Sequence, residues 1–329
     1  MGDITVIIPV FNPGESLKTL IHKLLSQTIV PYKIILLWTV PETSSINECD
    51  SDYKRMLEHI STIDNIDIVH DLDMTSKISV EYIMQREFDH GGTRNHGMSL
   101  VQTDYAVCMT QDAVPYDNSL FENLMNAFAD ERVAAAYARQ LPRDNAGYIE
   151  RITREFNYPD KDRIQNSDTL NELGIKTYFC SDVCAMYSVK RYNESGEFVK
   201  KTIFNEDMLM AAALIENGYS VKYVADAKVI HSHAYSYMEQ YRRNFDLAVS
   251  HVQYSYVFDK VPSEGEGIKL VLTTCKRLIK SGRIYLIPDL VLQSAFKYLG
   301  YRAGKRYKSL STKKIMKKTM NKLYWTGVE

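Results

Sequence analysis

The chain has 329 residues, a formal net charge of −1 and 45% hydrophobic residues, enough for a packed catalytic core with an appendage. This composition excludes an intrinsically disordered chain, and five scattered cysteines exclude a disulfide scaffold. The sequence has no apolar run of about eighteen residues, so a membrane span is not expected. It opens on a predicted core strand rather than a signal peptide, and we therefore expect a cytoplasmic protein with reduced thiols.

The predicted elements of the first half alternate between strands and helices. Strands are predicted at 4–10, 33–39, 66–70, 105–109 and 133–138, and helices at 14–27, 45–60, 93–101 and 117–129. This alternation predicts an α/β fold with a mostly parallel sheet.

The second half begins with a polar stretch, 139–177, that predicts an irregular loop over a site. A strand at 183–188, a helix at 206–217 and strands near Val221 and Val229 complete the predicted core. Helices are then predicted at 237–257, 267–280 and 284–301. Proline and glycine cluster at 258–266, which predicts a catalytic domain over 1–258, with halves of about 1–115 and 116–258, and a helical region over 259–329.

Asp112 directly follows the apolar strand predicted at 105–109. Ligands of parallel sheets bind beyond the carboxyl ends of the strands, so this carboxylate is a candidate ligand for Mg²⁺ or Mn²⁺ on a diphosphate. A cap of the following helix is the equally plausible alternative.

Two further pairs of residues are candidates for the same site as Asp112. Glu206 and Asp207 open a predicted helix, where they either complement the helix dipole or include a general base. His231 and His233 follow a predicted strand on alternate positions, so both imidazoles can face one site as metal ligands or phosphate donors, or be half-buried polar residues.

A glycine pair precedes the helix predicted at 93–101, in Asp89-His90-Gly91-Gly92-Thr93-Arg94-Asn95. Adjacent glycines let backbone amides approach a phosphate closely, and Arg94 is a candidate partner of a diphosphate. The segment matches neither a Walker loop nor a dinucleotide-binding motif, so it does not support a kinase or a dehydrogenase.

Together these segments resemble glycosyltransferase family 2, and within it the rhamnosyltransferase branch. The resemblance covers roughly residues 4–250, and its more specific parts are His-Gly-Gly-Thr-Arg-Asn at 90–95 and Thr-Gln-Asp-Ala at 110–113. It implies a GT-A fold, a Rossmann-like, mostly parallel mixed sheet flanked by helices, here with a C-terminal helical extension. It also implies an inverting transferase that moves L-rhamnose from dTDP-β-L-rhamnose to a lipid-linked saccharide in bacterial surface polysaccharide synthesis.

The resemblance also implies residue roles. Asp112 is implied to bind Mn²⁺ or Mg²⁺ with His231 or His233 nearby, and Asp207 to be the catalytic base beside Glu206. The implied donor-site residues are Pro9, Phe11, Asn12, Thr39, Gly92, Arg94, Asn95, Gln111 and Arg139.

One departure concerns the nucleotide base. Many family members have an acidic residue after the second strand, whereas this chain has Thr39 after Trp38. Thr39 can substitute by hydrogen bonding, and Trp38 either packs on the base or fills the core. A UDP-hexose or another nucleotide sugar is therefore the alternative donor.

The end of the chain is basic, with ten Lys or Arg and no Asp or Glu over 290–328. With the apolar residues of 284–299, this predicts peripheral binding to an anionic membrane at the inner face of the cell membrane. Packing against the core or a homodimer through these helices is the alternative. Nucleic-acid binding is a remote possibility, because no recognition motif accompanies the basic block.

Overall fold

The protein is described by a computed structural model over residues 3–61, 74–261 and 264–326. Its strands are β1 Ile4–Val10, β2 Lys33–Val40, β3 Ile78–Met84, β4 Tyr105–Met109, β5 Val114–Pro115, β6 Val133–Leu141, β7 Arg163–Gln165, β8 Cys184–Ser188 and β9 Ser220–Ile230. Its helices are α1 Glu15–Leu25, α2 Ile46–Ser61, α3 Met74–Lys77, α4 His90–Ser99, α5 Leu120–Met125, α6 Tyr148–Asn157, α7 Leu170–Leu173, α8 Val189–Glu194, α9 Glu206–Glu216, α10 Tyr237–Gln253, α11 Ser255–Phe258, α12 Glu264–Lys280, α13 Ile287–Lys305, α14 Thr312–Lys318 and α15 Lys322–Thr326.

The strands form one mixed sheet in the order β3-β2-β1-β4-β8-β6-β9-β5, with β7 paired to β9. The strands β3, β2, β1 and β4 are parallel, whereas β8 runs antiparallel to both β4 and β6. Cys184, which opens β8, pairs with Met109, which ends β4. The start of β8 therefore lies at the same sheet edge as the ends of the parallel strands.

Apolar side chains cover both faces of this sheet, because successive residues of a strand point to opposite sides. On β1, Ile4, Val6 and Ile8 join the layer that includes α1 and α5, whereas Ile7 joins the layer that includes α4 and α9. The predicted α/β fold, a mixed sheet flanked by helices and followed by C-terminal helices, is confirmed.

Two predictions about elements need correction. The region 78–84, predicted as loop, is β3, whose residues after Ile78 are only partly buried. The region 139–177 contains α6 and β7 rather than a continuous loop. Ile149 and Ile152 of α6 pack with Leu278 and Leu290 of the C-terminal helices, a contact that local sequence does not reveal. The strand predicted at 66–70 lies outside the described residues.

The C-terminal helices join the rest of the fold mainly through α13, which crosses α10 closely. A Cβ atom added to Gly300 would lie 2.1 Å from the carbonyl oxygen of Tyr241, and one added to Gly304 would lie 2.3 Å from that of Phe245. Glycine is therefore required at both positions of this crossing. The division at 258–266 stays a prediction.

In the described parts of the chain, none of the helices is long and apolar enough to cross a membrane.

Candidate active site and metal centre

Asp112, His231 and His233 come together at the sheet edge where β4 and β9 end. Asp112 follows β4, and the two histidines follow β9. The Oδ2 atom of Asp112 lies 3.3 Å from Nε2 of His233 and 3.7 Å from Nε2 of His231. The two Nε2 atoms are 3.0 Å apart, and one ligand atom from each residue lies within 4.8 Å of the others. One carboxylate and two imidazoles at this spacing fit a divalent cation.

Gln140, near the end of β6, orients the ring of His231. Its Nε2 donates to the hydroxyls of Tyr158, at 2.5 Å, and Ser181, at 2.9 Å, so its Oε1 faces Nδ1 of His231 at 3.0 Å. An amide oxygen only accepts, so Nδ1 carries the hydrogen and Nε2 keeps its lone pair toward Asp112. Such a partner commonly fixes the orientation of a ligating histidine.

Both imidazoles are held neutral. Burial lowers the pKa of His231 to about 3 despite the opposing charge of Asp112, and the neighbouring His233 and Arg154 add to the lowering. Burial likewise lowers the pKa of His233. Neutral imidazole is the form that binds a metal ion, so the pair is ready as ligands at neutral pH.

A second group of charges lies at the start of α9. Nη1 of Arg94, on α4, lies 2.8 Å from Oε1 of Glu206, and its Nε lies 3.1 Å from Oδ2 of Asp182. The side chains of Arg94 and Asp182 are only 7% and 2% exposed. Burial alone would raise the pKa of Glu206, but Arg94, together with smaller contributions that include His90 and Arg243, brings it below its usual value.

Asp207 differs from its neighbour. Its Oδ1 accepts the backbone N–H of Met208 at 2.8 Å, and its Oδ2 accepts that of Asp182 at 3.3 Å. Burial, and then the charges of Glu206 and Asp182, raise the pKa of Asp207 well above its usual range. The two adjacent acids thus have opposite properties: Glu206 stays ionised, whereas Asp207 gains affinity for a proton.

The two groups are connected through neighbouring residues of one segment. Ser181 Oγ accepts from Gln140, beside the histidines, and the N–H of Asp182 donates to Asp207. The segment before β8 therefore lies between the candidate metal centre and the candidate base.

Other predicted residues lie along the end of β1. Gln111 joins this segment to the end of β4, because its Oε1 accepts the N–H of Phe11 and its Nε2 donates to the carbonyl of Phe11, both at 2.9 Å. Phe11 is 41% exposed, Pro9 is half-buried, and exposed Asn12 has a left-handed backbone with φ of 44°.

The second strand presents Thr39 in a buried position. Within the described structure, the hydroxyl oxygen of Thr39 has no hydrogen-bond partner. Trp38 is 2% exposed and packs edge to face on Tyr53, so it fills the core.

The glycine pair at the start of α4 has a packing role in this structure. A Cβ atom on Gly91 would lie 1.8 Å from the carbonyl oxygen of Val199, and the N–H of Gly92 donates to the carboxylate of Asp89 at 2.6 Å. That carboxylate also accepts the N–H of Lys201 at 2.8 Å. The helix end suggested for a phosphate is therefore occupied by the chain itself.

The remaining predicted residues are buried or partly buried. Asn95 accepts the hydroxyl of Tyr192 at 2.7 Å and donates to Glu197 at 3.1 Å. Arg94 pairs with acids as described above. Arg139 lies at a register shift between β6 and β9, and its buried Nε lacks a hydrogen-bond partner among the described residues.

Three residues of the site were not predicted: Gln140, Asp182 and Arg143, whose Nη2 lies 3.9 Å from Asp112 Oδ2. The predicted residues mostly follow strands, whereas Asp182 precedes β8. Only the antiparallel direction of β8 brings its first residues to this edge. Gln140 had a usable signal, since it lies beside the predicted Arg139 and near the end of a buried strand.

The chain is similar in sequence to several known proteins. The profile of "Glycosyl transferase family 2" matches residues 61–196. The O-antigen chain rhamnosyltransferase RfbN of Salmonella typhimurium (strain LT2) is 33% identical over 328 residues, covering 99% of this chain and 97% of its own. The O-antigen chain rhamnosyltransferase WbaN of Salmonella anatum is 32% identical over 332 residues, covering 100% and 98%.

Solved structures share the fold. The mannosyltransferase PcManGT of Pyrobaculum calidifontis, in complex with GDP-Man and Mn²⁺, superposes with a TM-score of 0.54 at 14% identity, covering 99% of this chain and 86% of that one. GalNAc-T7 with UDP, GalNAc and Mn²⁺ has a TM-score of 0.51 at 11% identity, covering 72% of this chain and 44% of its own.

Proposed function

Because the chain belongs to glycosyltransferase family 2, we propose that it transfers L-rhamnose from dTDP-β-L-rhamnose to a saccharide acceptor with inversion of the anomeric centre. The chain is a glycosyltransferase, and its full-length relatives are O-antigen chain rhamnosyltransferases. The observation that carries the proposal is the joint presence of a carboxylate–imidazole cluster and a proton-accepting carboxyl at one sheet edge.

Asp112, His231 and His233 are proposed to hold a divalent cation. Bound there, the ion would supply Lewis-acid stabilisation of the departing diphosphate. Mg²⁺ is bound mostly by oxygen, whereas this set has two imidazole nitrogens, so we favour Mn²⁺. Arg143, which is 46% exposed beside Asp112, is suited to pair with the diphosphate as well.

Asp207 is proposed as the general base. Its raised proton affinity suits it to accept the proton of an acceptor hydroxyl as the bond to the sugar forms. A single displacement needs one such base and a stabilised leaving group, which gives inversion. Glu206, ionised and paired with Arg94, supports the base rather than replacing it.

The donor nucleoside is proposed to lie along the end of β1, beside Pro9, Phe11, Asn12 and Gln111. Exposed Phe11 offers a ring for the base, and the unpartnered hydroxyl of Thr39 is a candidate hydrogen-bonding group in place of an acid. Gly92 and Asn95 are proposed to shape this part of the site indirectly, since their polar contacts lie within the protein. Arg139 is proposed to do the same from the end of β6.

The acceptor is proposed to be a lipid-linked saccharide, which places the enzyme at the inner face of the cell membrane. The outer side of α12 exposes Ile268, Leu272 and Ile279 next to Lys269 and Lys276. Residues 284–299 add the exposed apolar residues Ile284, Tyr285, Val291, Leu292, Tyr298 and Leu299. Apolar side chains among cations suit an anionic lipid surface.

A transfer assay tests the proposal. The chain, Mn²⁺, an acceptor-bearing lipid extract and a panel of labelled nucleotide sugars are incubated, and label in the lipid fraction is compared with free sugar. We expect transfer from dTDP-β-L-rhamnose at a rate above that from UDP-hexoses. Transfer only from a UDP-hexose would overturn the donor, and sugar release without transfer would overturn the transferase reaction.

A further inference from the structure

Four charged side chains from three segments meet beside the proposed base. Arg94 is on α4, Asp182 lies just before β8, and Glu206 and Asp207 open α9. The guanidinium contacts Asp182 through Nε at 3.1 Å and Glu206 through Nη1 at 2.8 Å, and Nη1 also donates to the carbonyl of His90 at 3.2 Å. One buried cation on α4 therefore bridges two carboxylates from segments much further along the chain.

Asp182 is itself fixed from two sides. Its Oδ1 accepts the hydroxyl of Tyr187, on β8, at 2.7 Å, and its Oδ2 faces Arg94. With the side chain held in this way, its backbone N–H reaches Oδ2 of Asp207. The orientation of the Asp207 carboxylate thus depends on where Arg94 and Asp182 hold the segment before β8.

We propose that Arg94 and Asp182 are positioning residues for the transfer reaction, which hold the Asp207 carboxylate toward the acceptor hydroxyl and set its charge environment. This proposal rests on the proposed function, because it assumes Asp207 as the base. It gives Arg94 a role inside the protein in place of the diphosphate contact that its sequence position suggests.

The charges around Asp207 predict the direction in which each substitution shifts its pKa. Glu206 and Asp182 raise the pKa of Asp207, and Arg94 lowers it, in addition to the raising effect of burial. Two other titratable groups interact with it, Cys180 and Tyr158, and burial keeps both protonated by raising the pKa of the thiol and bringing that of the phenol to about 12. Loss of Asp182 and loss of Arg94 must therefore move the proton affinity of Asp207 in opposite directions.

Three variants separate these effects. Asp182→Asn keeps a hydrogen-bond acceptor for Tyr187 but removes the negative charge. Arg94→Gln removes the positive charge. Arg94→Lys keeps the positive charge but lacks the forked guanidinium that contacts two carboxylates. We expect the acidic limb of kcat/KM to move to lower pH in Asp182→Asn and to higher pH in Arg94→Gln. In Arg94→Lys, kcat falls roughly 10- to 100-fold with little change in donor KM, because the base is displaced.

Carboxyl ¹³C NMR of the full chain, with Asp207→Asn to assign the signal, follows the same titration without substrate. Asp246→Asn is the control, since Asp246 is another buried acid, on α10, whose pKa burial raises to about 6. Its substitution should lower Tm without moving the Asp207 titration. Variants at Arg94 and Asp182 that lower Tm but leave both kcat and the Asp207 titration unchanged would overturn the proposal. Retained transfer in Asp207→Asn would instead overturn the base assignment.

Discussion

Two adjacent carboxyls at the start of α9 have different chemistry because only one of them is paired with a cation. Arg94 lies against Glu206 and helps to keep it ionised. Burial, and then the charges of Glu206 and Asp182, raise the pKa of Asp207 against the lowering effect of the Met208 N–H. A base that works near neutral pH needs a raised pKa, and Asp207 has one. The different proton affinities of Glu206 and Asp207 therefore depend on the groups around each residue, and the Glu-Asp pair in the sequence does not predict them.

Replacing Asp207 by Asn should preserve the fold and donor affinity while lowering turnover by ~10²–10⁴-fold, the usual cost of removing a positioned base. Turnover is measured as labelled rhamnose transferred per minute, and donor affinity by calorimetry. Asp226→Asn, at an exposed position of β9, is the matched control and should transfer normally. Near-normal turnover of Asp207→Asn would show that another group accepts the proton.

Sequence patterns identified part of this site at the residue scale. Asp112, His231 and His233 were candidates because each follows a strand, and the structure brings them together. Asp182 was not a candidate, since it precedes a strand whose antiparallel direction depends on pairing with β4 and β6. The choice between a metal ligand and a helix cap at Asp112 likewise needed neighbours that are more than a hundred residues away.

At the scale of elements, strands and helices with strong apolar periodicity were predicted correctly. Elements with weak periodicity were missed. The buried strands β1 and β4 match their predicted ranges, whereas half-exposed β3 was missed. Helix α6 was missed because its buried face is completed by α12 and α13, which are over a hundred residues further along the chain. Tertiary contacts of this kind supply the stability that local propensity lacks.

The crossing of α10 and α13 makes a prediction about stability. Gly300→Ala places a methyl group against the Tyr241 carbonyl, so the helices must separate, and we expect a loss of roughly 1–3 kcal/mol in the free energy of unfolding. Gly267→Ala, on α12 with open space around it, should be neutral or stabilising by up to roughly 1 kcal/mol. Urea unfolding of both variants gives the comparison, and equal stability would argue against a tight crossing.

For the whole molecule, the proposed binding to an anionic membrane depends on where charge and apolar surface lie. Between residues 267 and 328, Asp289 is the single acidic residue of the sequence, and it accepts a hydrogen bond from Tyr237 at 2.6 Å. Leu290 is buried and Phe296 is partly buried against Tyr237, although both belong to the apolar segment seen in the sequence. The exposed apolar residues of α12 are proposed to contribute instead.

Vesicle flotation of the full chain tests this surface. Leu272→Glu/Ile279→Glu should reduce binding to anionic vesicles at least about tenfold, since it removes two apolar contacts and adds negative charge. Ile46→Glu, at an exposed apolar position at the start of α2, should float like the unmodified chain. Equal flotation of all three proteins would contradict docking through α12.

Asp112, His231 and His233 are proposed to hold a divalent cation on which donor binding depends. Calorimetric titration of dTDP-β-L-rhamnose into the chain with Mn²⁺, and again with EDTA, tests it most directly, with Asp112→Asn as the matched variant. We predict binding with Mn²⁺ that is lost with EDTA and strongly weakened in Asp112→Asn. Equal affinity with and without the metal ion, or an unchanged affinity in Asp112→Asn, would contradict the account.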